Sequence, residues 1–389
     1  MNKNTEGQLS TKKTIIYSVI IFFMATFIIL ALSELTFRYL ENPQQKLEIN
    51  QKNPYGTGSY RLKSNLNITT SLDKRTIHIQ TNSHGMHWRE VDRTNFPKRV
   101  RIAFVGDSFT FGCWADDFQS GFVGVFDREL PKTKYETLNF GVGGYGLDDI
   151  ELLIREEVSQ FHPDYVILAF YNGNDFRDTF LSTKKYNIIN GIACFDHRIV
   201  EQKVPHEYLD ANKSIKDILK NNFAICRAFG RLKSSSTLKR HFLEELIPSK
   251  VFTSYEFWSQ NIYPDVAEEA KKISLQTLHR IKSFLTDRKV TLLIVSIPYH
   301  QQVYVKKEFN DNYNIALPQK YVETFAESNN VPYLDLLPHL RRYVRNTEKD
   351  IYVSGDVHFN NHGHKIVGEI IASWFNKTIL DAERNGGNR

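Results

Sequence analysis

The chain has 389 residues, of which 41% are apolar and 24% charged, an ordinary globular usage that excludes a collagen-like repeat, a long disordered chain and a multi-span membrane protein. Its 50 Lys and Arg against 44 Asp and Glu leave a net charge of +6, spread along the chain with no basic block, which argues against nucleic-acid binding. Cys113, Cys194 and Cys226 are too few and too irregularly spaced for a disulfide framework, and no CxxC pair offers a zinc site.

Thr14 to Ser33 is a stretch of twenty residues without a charge. A helix of that length, rising about 1.5 Å per residue, covers the roughly 30 Å hydrocarbon core of a bilayer. Lys3, Lys12 and Lys13 precede it against Glu6 alone, and Glu34, Arg38, Glu41, Lys46 and Glu48 follow. The positive-inside rule keeps residues 1–13 in the cytoplasm and sends the rest outside. Ala31-Leu32-Ser33 also offers a cleavage site, but the apolar run exceeds the about 7 to 15 residues usual for a signal peptide. An uncleaved signal anchor over 14–33 is therefore the expectation. Residues 34–99, polar and broken by Asn, Gly and Pro, read as a stalk and a small β appendage, with Thr76 to Gln80 alternating as a strand.

From Val100 the pattern changes. Apolar runs at Val100 to Val105, Tyr135 to Phe140, Tyr165 to Phe170, Val290 to Ile297 and Val331 to Leu334 predict strands. Amphipathic stretches near 117–130, 147–160, 265–286, 318–328 and 361–376 predict helices between and after them. Such alternation predicts a three-layer α/β/α domain over 100–380, built on a parallel sheet covered on both faces. Residues 176–264 interrupt the rhythm and are too many for a bare loop, so they predict an inserted lid with helices of its own, near 213–229 and 236–246. The charged tail 381–389 reads as flexible.

Ligands of an open parallel sheet bind beyond the carboxyl ends of the strands, so the residues that follow each apolar run matter most. The first run leads into Gly106-Asp107-Ser108-Phe109, where a serine at a helix start is either an ordinary cap or a nucleophile beside free backbone N–H groups. After the second stands Gly141-Val142-Gly143-Gly144-Tyr145-Gly146, a literal GxGxxG. A dinucleotide loop is disfavoured because the motif follows the second strand of the domain, and because no acidic residue ends the next strand at the expected spacing of about twenty. The third leads into Gly173-Asn174-Asp175, an amide at the same rim or a plain turn.

Near the C-terminus, Asp356-Val357-His358 precedes the last amphipathic helix. A carboxylate two residues before an imidazole can fold back on one ring nitrogen and leave the other to take a proton. A metal held by Asp356, His358 and His362 is the weaker reading, since no second acidic or Cys/His cluster accompanies them. His362 and His364 flank Gly363 at the helix start, where packing or capping is expected of them. His358 lies ahead of the helix, on a segment that can reach the sheet's edge.

These four blocks, in this order at strand ends, resemble the SGNH or GDSL-like hydrolases over most of residues 100–376 outside the insertion. The resemblance implies a flavodoxin-like α/β/α fold and a cofactor-free serine esterase. Ser108 would be the nucleophile, His358 the general base and Asp356 the orienting carboxylate. The Ser108 N–H, the Gly144 N–H and the Asn174 amide would form the oxyanion hole. Phe109 replaces the family's Leu, and the family's usual Asp-x-x-His is here Asp-x-His, with Gly355 at the third position before His358. The implied substrate is an acyl ester, such as an O-acetyl group on a cell-surface glycan. An O-acyltransferase using the same residues and a catalytically silent envelope protein are the rival expectations. In an oxidising compartment Cys194 and Cys226 are expected to pair and Cys113 to stay free.

Overall fold

A computed structural model describes residues 11–40, 48–54, 60–72, 75–93, 99–181, 186–189, 192–195, 202–209, 252, 254–304 and 313–386. Cys226 and the helices expected at 213–229 and 236–246 lie outside these residues, so the expected pairing of Cys194 with Cys226 does too.

Helix α1 (Thr11–Leu40) belongs to a different compact unit from the strands and helices that follow. Lys13–Thr36 within it has a mean hydropathy of 2.8 and no buried share, which makes it long and apolar enough to cross a membrane. The chain then forms two antiparallel pairs: β1 (Asn50–Lys52) with β2 (Tyr60–Leu62), and β3 (Asn67–Leu72) with β4 (Arg75–Gln80). The sequence suggests a stalk and a small β appendage here; the strand expected at Thr76 to Gln80 is present as β4, and these pairs are built into the body. Trp88 is buried and its indole N–H donates to the Thr137 carbonyl at 2.8 Å, while the His78 N–H donates to Asp116.

The central sheet holds β5 (Val100–Gly106), β6 (Tyr135–Gly141), β7 (Tyr165–Tyr171), and two later strands. Four helices come between: α2 (Ser108–Phe111), α3 (Phe122–Glu129), α4 (Leu147–Glu156), and α5 (Asp175–Leu181). A hairpin of β8 (Tyr186–Ile189) and β9 (Ile192–Phe195), then α6 (Tyr255–Trp258) and α7 (Asp265–Thr286), lead to β10 (Thr291–Ile297). After α8 (His300–Tyr304) and α9 (Leu317–Ser328) comes β11 (Tyr333–Asp335). Helices α10 (Leu337–Thr347) and α11 (Asn361–Gly386) close the chain.

All five sheet strands run parallel in the order β6-β5-β7-β10-β11. Counted along the chain this is 2-1-3-4-5, the flavodoxin-like order, whose switch point lies between β5 and β7. Right-handed crossovers in that order put α3 and α11 on one face and α4 and α7 on the other. Between β5 and the first face, Phe104 meets Phe122 and Phe126, and Phe126 meets Phe375 at 5.6 Å between ring centres. These four rings are fully buried, each worth roughly 1.5 to 3 kcal/mol of transfer free energy. The strands are buried along nearly their whole length, which is why they read as continuous apolar runs.

Two boundaries differ from expectation. Both ends of the expected insertion belong to the body: α5 packs on α7, and Phe176 stacks on the buried Trp258 at 5.9 Å. Helix α11 runs to Gly386, through most of the segment expected as a flexible tail.

Candidate active site

The nucleophile candidate sits at the switch point. Strand β5 ends at Gly106, and Asp107 caps α2 by accepting the Phe109 N–H at 2.9 Å, which leaves Ser108 as the first helical residue. A Cβ on Gly141, at the end of β6, would lie 2.1 Å from the Phe111 nitrogen, so only glycine lets that strand end approach α2. The loop beyond passes near Ser108 less tightly: a Cβ on Gly143 would lie 3.7 Å from the Ser108 Cβ, an ordinary van der Waals contact.

The C-terminal loop brings the other two residues. Val353 donates to the His358 carbonyl and Asn360 to the Ile351 carbonyl, with Tyr352 bridged to Phe359. This clasp holds Asp356 and His358 over α2, with the His358 ring tilted on Phe109 at 4.9 Å. His358 Nε2 is 2.7 Å from Ser108 Oγ, and His358 Nδ1 is 2.5 Å from Asp356 Oδ1. The same carboxylate oxygen accepts the His358 backbone N–H at 3.0 Å, an interaction that the two-residue spacing makes local. Burial works to raise the Asp356 pKa, but its bonds to the His358 ring and backbone and to the Trp114 side chain outweigh it and hold the carboxyl below its usual range. Trp114 makes that contact from a left-handed backbone position, φ +67°, which is costly for a bulky residue.

Neither the Ser108 N–H nor the Gly144 N–H donates to another group among the described residues. Gly144 has φ +80°, a conformation open to glycine at little cost. Asn174 stands beside Asp107, whose charge its amide helps to hold, and its side-chain carbonyl is buried without a partner. Burial is the main cause that pushes Asp107 up to about 6. Burial, then Asp356 and Asp107, push the neighbouring Cys113 thiol up to about 12, so it offers no thiolate near neutral pH.

The other two histidines face elsewhere. A ring nitrogen of His362 lies 2.6 Å from the Tyr343 hydroxyl, and the fully buried His364 accepts the Phe122 N–H and bonds the Cys113 carbonyl. Among the described residues no group of three or more His, Cys, Asp or Glu could hold a metal ion. The GxGxxG loop is also committed internally: the Gly146 N–H donates to Asp149 and the Leu147 N–H to Thr179. A carboxylate thus occupies the helix start where a pyrophosphate would need those donors.

Burial lowers the His364 pKa to about 4, against which the Cys113 carbonyl works only partly. Below about pH 6.5 the unfolded chain takes up a proton that the folded one refuses until about pH 4, so stability present at neutral pH is lost on acidification. His364→Gln should remove about 3 kcal/mol of that pH dependence while leaving turnover close to wild type. Denaturant titrations at pH 7 and pH 4, with initial rates alongside, check both parts.

No family model and no curated protein matches the chain. Solved structures similar to it include a two-domain esterase active on acetylated mannans, at 14% identity and TM-score 0.38, covering 72% of this chain. This chain spans 49% of that esterase's length. A protein assigned to the G-D-S-L lipolytic family from Desulfitobacterium hafniense DCB-2 shares 13% identity at TM-score 0.38, covering 71% of this chain and 99% of its own. An acetyl xylan esterase shares 15% identity at TM-score 0.37, covering 70% and 98%.

The sequence reading missed what holds the loop of residues 141–146 from behind. Tyr60 and Arg61, in a short strand of the appendage, reach Gly143 and Tyr145. The one sequence signal was a charge between two large apolar residues in Tyr60-Arg61-Leu62.

Proposed function

We propose that the protein is a membrane-anchored serine esterase that removes acyl groups, in the first place O-acetyl groups, from a glycan outside the cytoplasmic membrane. The observation that carries this reading is the continuous chain of contacts from Ser108 Oγ through His358 to Asp356, set beside two backbone N–H groups that donate to nothing among the described residues. Ser108 Oγ attacks the ester carbonyl while His358 Nε2 takes its proton, and Asp356 holds the other ring nitrogen in its protonated form. The carbonyl oxygen becomes an oxyanion that the Ser108 and Gly144 N–H groups receive. A half-turn of the Asn174 amide would add a third donor. Each donor is worth about 3 kcal/mol in the transition state. Collapse expels the sugar alkoxide, which takes the proton back from His358, and water repeats the cycle to release the free acid.

Helix α1 supplies the anchor, with residues 1–13 inside by the charge bias around it. That orientation puts the site where surface glycans are within reach. The test is a fluorophosphonate probe followed by product analysis. Wild type should be labelled at Ser108 and should release acetate from an acetylated glycan, and Ser108→Ala should do neither. An unlabelled wild type would point to a silent envelope protein. Transfer of acetyl to an added acceptor sugar, in place of acetate release, would make the enzyme an acyltransferase.

A further inference from the structure

We propose that Tyr60 is a positioning residue for ester chemistry: its hydroxyl grips the Gly143 carbonyl and thereby aims the Gly144 N–H at the oxyanion. The inference rests on the reading of Ser108 as nucleophile and Gly144 as oxyanion donor given above. Its starting point is a hydrogen bond from the Tyr60 hydroxyl, on β2, to the backbone oxygen of Gly143. The Gly143 C=O and the Gly144 N–H belong to one trans peptide, in which the two bonds point in opposite directions. Holding the oxygen on the appendage side therefore turns the N–H away from the appendage.

This peptide needs holding. It lies between two glycines, Gly144 at φ +80°, so no Cβ resists its rotation, and a flip would present a carbonyl where the oxyanion needs a donor. A bond donated to the Gly143 oxygen also polarises the peptide and makes its N–H a stronger donor.

Tyr60 is itself fixed on every side. Its ring packs edge-on against Tyr145 at 5.7 Å, and its own carbonyl accepts from the Tyr145 hydroxyl and from Arg61 Nη1. Arg61, only 5% exposed, spans to Tyr145 at 2.5 Å, to Glu157 at 2.5 Å and to Glu156 at 2.7 Å, both at the end of α4. The appendage is thus tied through one buried guanidinium to the helix that follows the oxyanion loop. A tyrosine in this place acts on the donor's direction and touches no substrate.

The test compares Tyr60→Phe with wild type on an aryl acetate. We expect kcat to fall about tenfold with KM within about twofold, because a misaimed oxyanion donor is felt mainly in the transition state. Affinity for a boronic acid that forms a tetrahedral adduct on Ser108 should weaken by the same factor as kcat, and in protein labelled with nitrogen-15 glycine the Gly144 amide resonance should shift or split. A residue that merely supports the fold would lower the melting temperature and move none of these three. Unchanged kcat and boronate affinity in a folded variant, or a raised KM alone, overturns the proposal. A wild type inert toward the ester sinks the esterase reading instead, and the Gly144 resonance then decides the brace by itself: no change in Tyr60→Phe overturns it. If Tyr60→Phe does not fold, Tyr145→Phe removes the hydroxyl that packs beside Tyr60 and donates to its carbonyl, one of the two donors that fix it. A fall in kcat at constant KM supports the brace there, and an unchanged kcat overturns it.

Discussion

Ser108→Ala and His358→Ala should each lower kcat on an aryl acetate by about 10⁴-fold or more, and the double variant should be scarcely worse than either. The reason is geometric. At 2.7 Å from Ser108 Oγ, His358 Nε2 is placed to take that proton in the proposed first step. Without the hydroxyl the base has nothing to activate, and without the base the hydroxyl is a poor nucleophile at neutral pH. The residual rate over water would then report on the proposed N–H donors at positions 108 and 144 together with substrate binding. His362→Ala is the control, since its ring contacts Tyr343 and lies outside the relay. Loss of activity in folded His362→Ala, with retention in His358→Ala, would remove His358 from the role assigned to it.

Asp356→Asn should cost about 10² to 10⁴-fold in kcat with the fold preserved. The carboxylate serves three donors at once: the His358 ring, the His358 backbone N–H and the Trp114 side chain. Both His358 donors sit on Oδ1, so an amide that places its N–H₂ there faces both with an N–H. In that orientation the imidazole changes tautomer and Nε2 can no longer take the serine proton. In either orientation the charge that stabilises the imidazolium is gone. Circular dichroism and kcat across pH 6 to 9 separate this from unfolding. A folded variant with near-wild-type kcat would show that His358 works without a carboxylate.

Both predictions draw on residues that the sequence displays openly, because Ser108, Gly144, Asn174 and the Asp356-His358 pair each follow a strand or open a helix within a short local block. The sheet was legible for a related reason. Strands covered on both faces, such as Val100–Gly106 and Tyr165–Tyr171, leave continuous apolar runs. The appendage left no such trace. Strands β1 and β2 have three residues each, too few for a period to register, and what they do depends on contacts with residues more than eighty positions away. Helix α10 escaped because Arg341, Arg342 and Arg345 dilute its apolar stripe and β11 before it is only three residues long. The end of α11 reads as a tail from its charge and its Gly/Asn ending, although Leu380, Ala382, Glu383 and Arg384 are all good helix formers.

The two-residue spacing between Asp356 and His358 also bears on how the site can move. Because one carboxylate oxygen holds both the ring and the backbone of His358, these residues close a small ring of covalent and hydrogen bonds. The clasp at Val353 and Asn360 ties off the ends of that segment. Carboxylate and imidazole are therefore held as a single unit. Any displacement of this segment as a whole would lengthen the separation from Ser108 Oγ and leave the bond between Asp356 and the His358 ring intact.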